Sequence, residues 1–128
     1  SINRHIWDQD ELELYLGNQE SHHRKVLVRL LKLIQTRKQQ KAFHPNATMF
    51  TLNLGPGLLG FWRLSLDREQ KIFAIFNISK EKRTLPMETL NLTIEQRWID
   101  LISGVEFIDR SRTLELDPYD FLWIGNQN

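Results

Sequence analysis

The sequence has 128 residues, 41% of them hydrophobic and 26% charged, with a net charge of +1. That length and balance fit an ordinary globular domain with its own core, argue against disorder, and give no overall pull toward nucleic acid. There is no cysteine, which removes disulfides, thiolate metal sites and thiol catalysis together.

Charge is unevenly placed. The first 20 residues carry Asp8, Asp10, Glu11, Glu13 and Glu20 against Arg4 alone. The start is abrupt, with no initiator Met, so the expectation is a piece of a longer chain. Asp8 reads as a helix N-cap with Glu11 three residues on, a D-x-x-E form of the capping box. Trp7 and Leu12 are spaced to form a hydrophobic staple. This first helix is expected to stop at Gly17 in a left-handed turn.

Residues 21–43 form the longest periodic run, with Ser21 as its cap. Leu27, Leu30, Leu31 and Ile34 follow the i, i+3, i+4, i+7 spacing of one helix face. Arg24, Lys25, Arg29, Lys32, Arg37, Lys38 and Lys41 surround them, with no acidic residue between Arg24 and Phe43. A helix of about 20 residues is about 30 Å long, and an apolar stripe of that length needs a large surface to bury it. Dimerisation of the piece through this stripe is one expectation.

His44-Pro45-Asn46 closes the helical part, because the residue before proline leaves the α region. Strands are then expected at 47–54 and 58–66, joined by the Gly55-Pro56-Gly57 turn. The next, 71–78, is apolar on both faces, so it should be central and covered on both sides. The stretch 85–87 contains Pro86 and fits only an edge strand or a loop. Residues 90–94 are ambiguous. Strands follow at 97–102, 105–108, 113–116 and 119–124. The residues alone therefore read as an α+β chain, two N-terminal helices and a small antiparallel β-sheet or sandwich.

Little in this pattern carries chemistry. The basic helix fits either an acidic partner such as nucleic acid or a helix with solvated charges. His22 and His23 are neighbours and diverge by roughly 100° on a helix, so they cannot share a metal as an i, i+4 pair can. Trp62, Trp98 and Trp123 lie on strands, where they serve as core or as sugar-stacking platforms. No acid–base pair, Ser-His-Asp set or phosphate loop is visible. No metal site and no cofactor are expected.

Several stretches resemble the C-terminal end of alpha-amylase superfamily enzymes, in particular the sucrose phosphorylase group. Ile2-Asn3-Arg4-His5 is similar to the I-N-R-H that follows that group's last barrel strand. Leu30 to Arg37 with Ala42-Phe43 resembles its last barrel helix, L-x-x-L-I-x-x-R-x-x-x-P-A-F, with Lys41 in place of the proline. Ile75-Phe76-Asn77-Ile78-Ser79, Asp100-Leu101-Ile102-Ser103-Gly104, Leu116-Asp117-Pro118-Tyr119 and Trp123-Ile124 resemble strands of its C-terminal β domain.

The resemblance implies that residues 1–44 are the last loop and helix of a truncated (β/α)8 barrel and that 45–128 are a C-terminal antiparallel β domain. The partner implied is the upstream barrel of the same polypeptide; neither nucleic acid nor membrane is expected as one. The nucleophilic Asp and acid Glu of these retaining enzymes would lie upstream, with inorganic phosphate as co-substrate of the parent and no cofactor. No catalytic residue is expected on this chain. The site residue implied is Arg4, beside the sugar and the phosphate or acceptor, with Asn3 and His5 positioning the loop. Sucrose, a phosphorylated sucrose and a glucosyl-glycerate all remain open as donor. The alternative is a stand-alone β module that binds carbohydrate or a protein.

Overall fold

The structure is a computed structural model that describes residues 4–127. It divides into two compact units, Ser1–Gln35 and Thr36–Asn128.

The first unit holds helix α1 (Gln9–Gly17) and most of helix α2 (His22–Lys38). Asp8 occupies the N-cap of α1 with extended backbone, but its side chain makes no capping hydrogen bond. The expected capping box is not formed. Gly17 is the last helical residue, and Asn18 follows in an extended conformation. The left-handed exit is replaced by side-chain donors from downstream. The Ser21 hydroxyl donates to the Tyr15 carbonyl, and the Arg24 guanidinium donates to the Leu16 carbonyl at 2.7 Å. Ser21 caps α2 as its sequence position predicts, its Oγ accepting from the Arg24 N–H at 3.1 Å.

α2 ends at Lys38, five residues short of the expected limit. Gln40 is extended, and a short 3-10 turn covers Lys41–Phe43. Tertiary bonds outcompete the helix here. The Ala42 N–H donates to Gln70 Oε1 at 2.8 Å, Gln70 Nε2 donates to Gln40 Oε1 at 2.7 Å, and Lys41 pairs with Asp67 and Glu69.

The second unit is built on seven strands: β1 (Thr48–Leu52), β2 (Leu58–Leu64), β3 (Lys71–Asn77), β4 (Arg83–Pro86), β5 (Arg97–Asp100), β6 (Thr113–Leu116) and β7 (Phe121–Gln127). A five-stranded antiparallel sheet has the order β1-β2-β3-β7-β5, and β4 and β6 form a second, two-stranded sheet. The two sheets share one core. Phe73, Ile75, Trp98 and Ile124 come from the larger sheet and Leu85, Leu114 and Leu116 from the smaller. Met87 and Leu90 come from a 3-10 turn at Met87–Leu90, and Phe107 from the loop after β5.

β3 is the middle strand, and Ile72, Phe73, Ala74 and Ile75 are buried in succession, as its two apolar faces require. Pro86 ends β4 in the two-stranded sheet, where its missing donor is tolerated. Gly55 and Gly57 both have positive φ, which lets the β1–β2 connection turn. β7 runs to Gln127 instead of stopping at Ile124. Buried Asn126 is part of its pairing, accepting from the Lys71 N–H at 2.7 Å and donating to the Glu69 carbonyl at 2.8 Å.

Two buried polar side chains tie the loops. Asn77 Nδ2 donates to the carbonyls of Glu81, Leu116 and Asp117, and its Oδ1 accepts from the N–H and hydroxyl of Ser79. The Asp100 carboxylate accepts from the N–H groups of Ile102, Ser103 and Trp123 and from the Ser103 hydroxyl. Both residues sit in the stretches that carry the family resemblance, and here both act as structural anchors.

Candidate functional site

Of the residues implied as a substrate site, Asn3 lies outside the described residues. Arg4 is exposed and makes no hydrogen bond or ion pair among the described residues. His5 is exposed, its ring edge-on to Trp7 at 4.4 Å. Trp7 in turn lies 5.7 Å from Tyr15 and 5.2 Å from His23, and Tyr15 lies 4.6 Å from His23. His23 thus joins an aromatic cluster while His22 does not, as divergent helix neighbours must. No group of three potential metal ligands exists among the described residues.

On α2, the basic residues are partly engaged. Arg24 is drawn back onto α1, and Lys25 lies 3.6 Å from Glu20. None of the helix's residues is buried, and Val26, Val28, Leu30, Leu31 and Ile34 are all exposed. No helix of the described residues is long and apolar enough to cross a membrane.

The ionisable groups with shifted pKa values lie in the second unit, and none is set up as a general acid. The hydrogen bond from Lys41, helped by Ser65 and the Glu69 N–H, holds the Asp67 carboxyl well below the usual range. The Arg97 guanidinium grips Glu106 with bonds of 3.0 and 2.8 Å and lowers it too. The Ser111 hydroxyl and N–H lower Asp109. A carboxyl that must donate a proton near neutral pH needs the opposite shift.

One feature of the second unit sets a hollow beside a row of aromatic rings. On the inner face of the large sheet, four rings form a row across the strands. Phe50 stacks on Trp62 at 4.4 Å, Trp62 lies 6.2 Å from Phe73, and Phe73 lies 5.6 Å from Trp98. The backbone register Phe50↔Trp62↔Phe73 sets this row. Beside it lies a hollow of about 280 Å³ lined by Leu52, Trp62, Lys71, Thr89, Asn91 and Thr93 over the buried Phe73, Leu90 and Trp98.

The rim is fixed from behind. The Trp98 indole N–H donates to the Thr93 carbonyl at 3.1 Å, and the Arg110 guanidinium donates to the carbonyls of Thr93 and Gln96. Asn91 is left-handed at φ 49°, its N–H bonded to the Glu88 carbonyl. Sequence reasoning singled out Trp62 and Trp98 but left residues 90–94 undecided, so it missed the rim.

No family model matches the chain, and the search of curated proteins finds no match. Solved structures do resemble it. One is a protein assigned as an alpha-N-acetylgalactosaminidase from Bacillus halodurans C-125, with a TM-score of 0.53 and 10% identity over 68% of this chain and 22% of that one. Another is a GH27 β-L-arabinopyranosidase from Geobacillus stearothermophilus, with a TM-score of 0.52 and 15% identity over 67% of this chain and 21% of that one. The chain therefore has a fold shared with a segment of glycoside hydrolases. It spans about a fifth of the length of either enzyme.

Proposed function

We propose that this chain is the non-catalytic closing portion of a carbohydrate-active enzyme. In this reading α2 is the last outer helix of a (β/α)8 barrel and the second unit is its accessory β domain. The observation that carries the proposal is α2 itself: 17 residues, none buried, with five large apolar side chains exposed. Such a helix is suited to lean on a partner layer, and an upstream barrel supplies one. The fold shared with segments of glycosidases supports the same class. In the absence of the barrel, the stripe is free to pair with a second copy.

The finer reading is a sucrose phosphorylase-like parent in the cytoplasm, transferring a glucosyl unit from its donor sugar to inorganic phosphate. It rests on the motif resemblance, with the catalytic Asp and Glu upstream. Arg4, flanked by Asn3 and His5, then serves the sugar and phosphate with paired guanidinium hydrogen bonds.

The test is to read the coding sequence ahead of Ser1. Alternating strands and helices, with an Asp and a Glu at strand C-termini, are expected. A stop codon in that frame overturns the proposal. In the parent, Arg4→Ala should lose roughly 2–3 kcal/mol of transition-state stabilisation. Unchanged kinetics remove Arg4 from the site.

A stand-alone sugar-binding module is the second reading, and the tryptophan-lined hollow is what favours it.

A further inference from the structure

We propose that the free edge of β1 pairs antiparallel with β1 of a second copy about a two-fold axis beside Phe50, joining the two five-stranded sheets into one. The inference does not rest on an upstream barrel, and it uses a surface other than the α2 stripe.

The first observation is where the backbone groups point. The Ser65 N–H donates to the Gln70 carbonyl at 2.9 Å, so these residues are a hydrogen-bonded pair of the β2–β3 hairpin. Bonded and non-bonded pairs alternate along an antiparallel ladder. Gly60, Trp62 and Leu64 therefore turn their backbone groups toward β1, where they meet Leu52, Phe50 and Thr48. Met49 and Thr51 are left with N–H and C=O groups aimed away from β2, on the side where the sheet order ends. These four groups are symmetric about Phe50. A two-fold partner sets Met49 opposite Thr51 of the second copy and Thr51 opposite its Met49, and all four are satisfied at once.

The second observation is that this edge is unguarded. Sheet edges are normally blunted by charge, proline or a covering loop. At the opposite edge β5 carries Arg97 and Asp100, and Ile99 is bridged to Glu106 in the following loop. In the smaller sheet β4 carries Arg83 and Pro86, and β6 carries Glu115. β1 reads Thr-Met-Phe-Thr-Leu, with neither charge nor proline, and Thr48 to Thr51 are all exposed. That neutrality also selects the occupant. Two copies meet here with no like charges opposed, and the strand has no charge with which to prefer an acidic or basic peptide.

The third observation is the aromatic row. It runs from Trp98 through Phe73 and Trp62 and ends at Phe50, which is still 43% exposed. In the two-fold pairing Phe50 faces its own counterpart as a non-bonded pair, the kind in which side chains come closest. Each Phe50 ring then covers the other, and the row continues into the second copy. An edge of five residues buries less than the roughly 1,200 Å² of a stable interface, so the association is weak, with a dissociation constant of about 0.1–1 mM.

The test is sedimentation and amide hydrogen exchange of the full chain between about 20 μM and 2 mM, which spans that constant. The mass should rise toward a dimer. The Met49 and Thr51 amides, open in the monomer, should exchange about three- to sevenfold more slowly at the upper concentration, by mass action. Met49→Lys/Thr51→Lys sets like charges opposite each other across the axis and should abolish both effects, as should Met49→Glu/Thr51→Glu. Mixing these two variants should restore pairing. Both positions are exposed, and thermal melts check that the variants fold. Should either melt early, Thr51→Pro takes its place, since it removes one outward donor and leaves the bonds to β2.

A chain that stays monomeric across the range overturns the inference. So does a dimer whose Met49 and Thr51 amides exchange equally fast at both concentrations. A dimer that survives the lysine pair but is lost in Leu30→Gln/Ile34→Gln lies on the α2 stripe and overturns it too, as does failure of the mixed variants to associate.

Discussion

Arg63 on β2 donates from Nε to the carbonyl of Ala42 at 3.0 Å, and from Nη2 to the carbonyl of His44. One guanidinium thus fastens the 3-10 turn at Lys41–Phe43 to the outer face of the large sheet, with Phe43 edge-on to Trp123 at 5.0 Å beside it. Arg63→Met should cost about 1.5–3 kcal/mol, since two carbonyls lose a charged donor. Arg63→Lys should recover only part, because an ammonium cannot reproduce the planar fork. Urea denaturation reads both as a lower midpoint at unchanged slope.

Asn77 is buried and bonded through both ends of its amide. Asn77→Ala should cost about 3 kcal/mol, leaving buried carbonyls without a donor. Asn77→Asp should be worse at neutral pH, because a carboxylate would face the oxygens of Glu81, Leu116 and Asp117. Equal stability of the two variants would show that the donors at Asn77 are not what matters.

The pH dependence should be acid-sided. Asp67, Glu106 and Asp109 have folded pKa values below their ordinary 3.8, 4.5 and 3.8. A group depressed by folding adds stability above its unfolded pKa and loses it as pH falls through the folded one. Stability should therefore begin to fall near pH 4.5 and keep falling below 3.8. Lys41 is raised above 10.5 by hydrogen bonds to Asp67 and Glu69, so its contribution is present below that value and lost as pH climbs past it. Asp67→Asn should flatten the acid limb most. All these groups are solvent-accessible, so added salt should shrink the effect.

Gly57 has φ 75°, and a Cβ built there would lie 2.6 Å from Arg83 Nε. Gly57→Ala should cost about 1–2 kcal/mol from the left-handed backbone alone. Arg83 would also have to swing away from the Ser79 hydroxyl that it now contacts at 3.2 Å. Adding Arg83→Ala should therefore not restore wild-type stability, and thermal melts of both variants check this.

The strand pattern was legible where side chains alone decide it. Two apolar faces marked β3 as central, Pro86 marked an edge strand or a loop, and Gly55 and Gly57 marked a turn. What local pattern could not show was competition from distant groups. Asp8 and Glu11 have the spacing of a capping box, yet the bond is not made. Gly17 looks like a left-handed stop, yet Ser21 and Arg24 satisfy the helix end instead. The last strand was expected to end at Ile124 and instead runs on to Gln127, because Asn126 finds partners 55 and 57 residues earlier in the chain. The hollow was half legible. Its tryptophans stood out, while its rim comes from a 3-10 turn and a loop that have no periodicity to detect.

The position of β7 has a consequence for biosynthesis. The strand formed by residues 121–127 slots between β3 and β5, both of which leave the ribosome earlier. Until it arrives, β3 has one open flank and β5 has only its bridge to Glu106 in the loop that follows it. The large sheet therefore cannot close gradually during translation. It must wait with apolar edges bare, and a ribosome stalled before Phe121 would hold a sticky, half-built chain that chaperones should recognise.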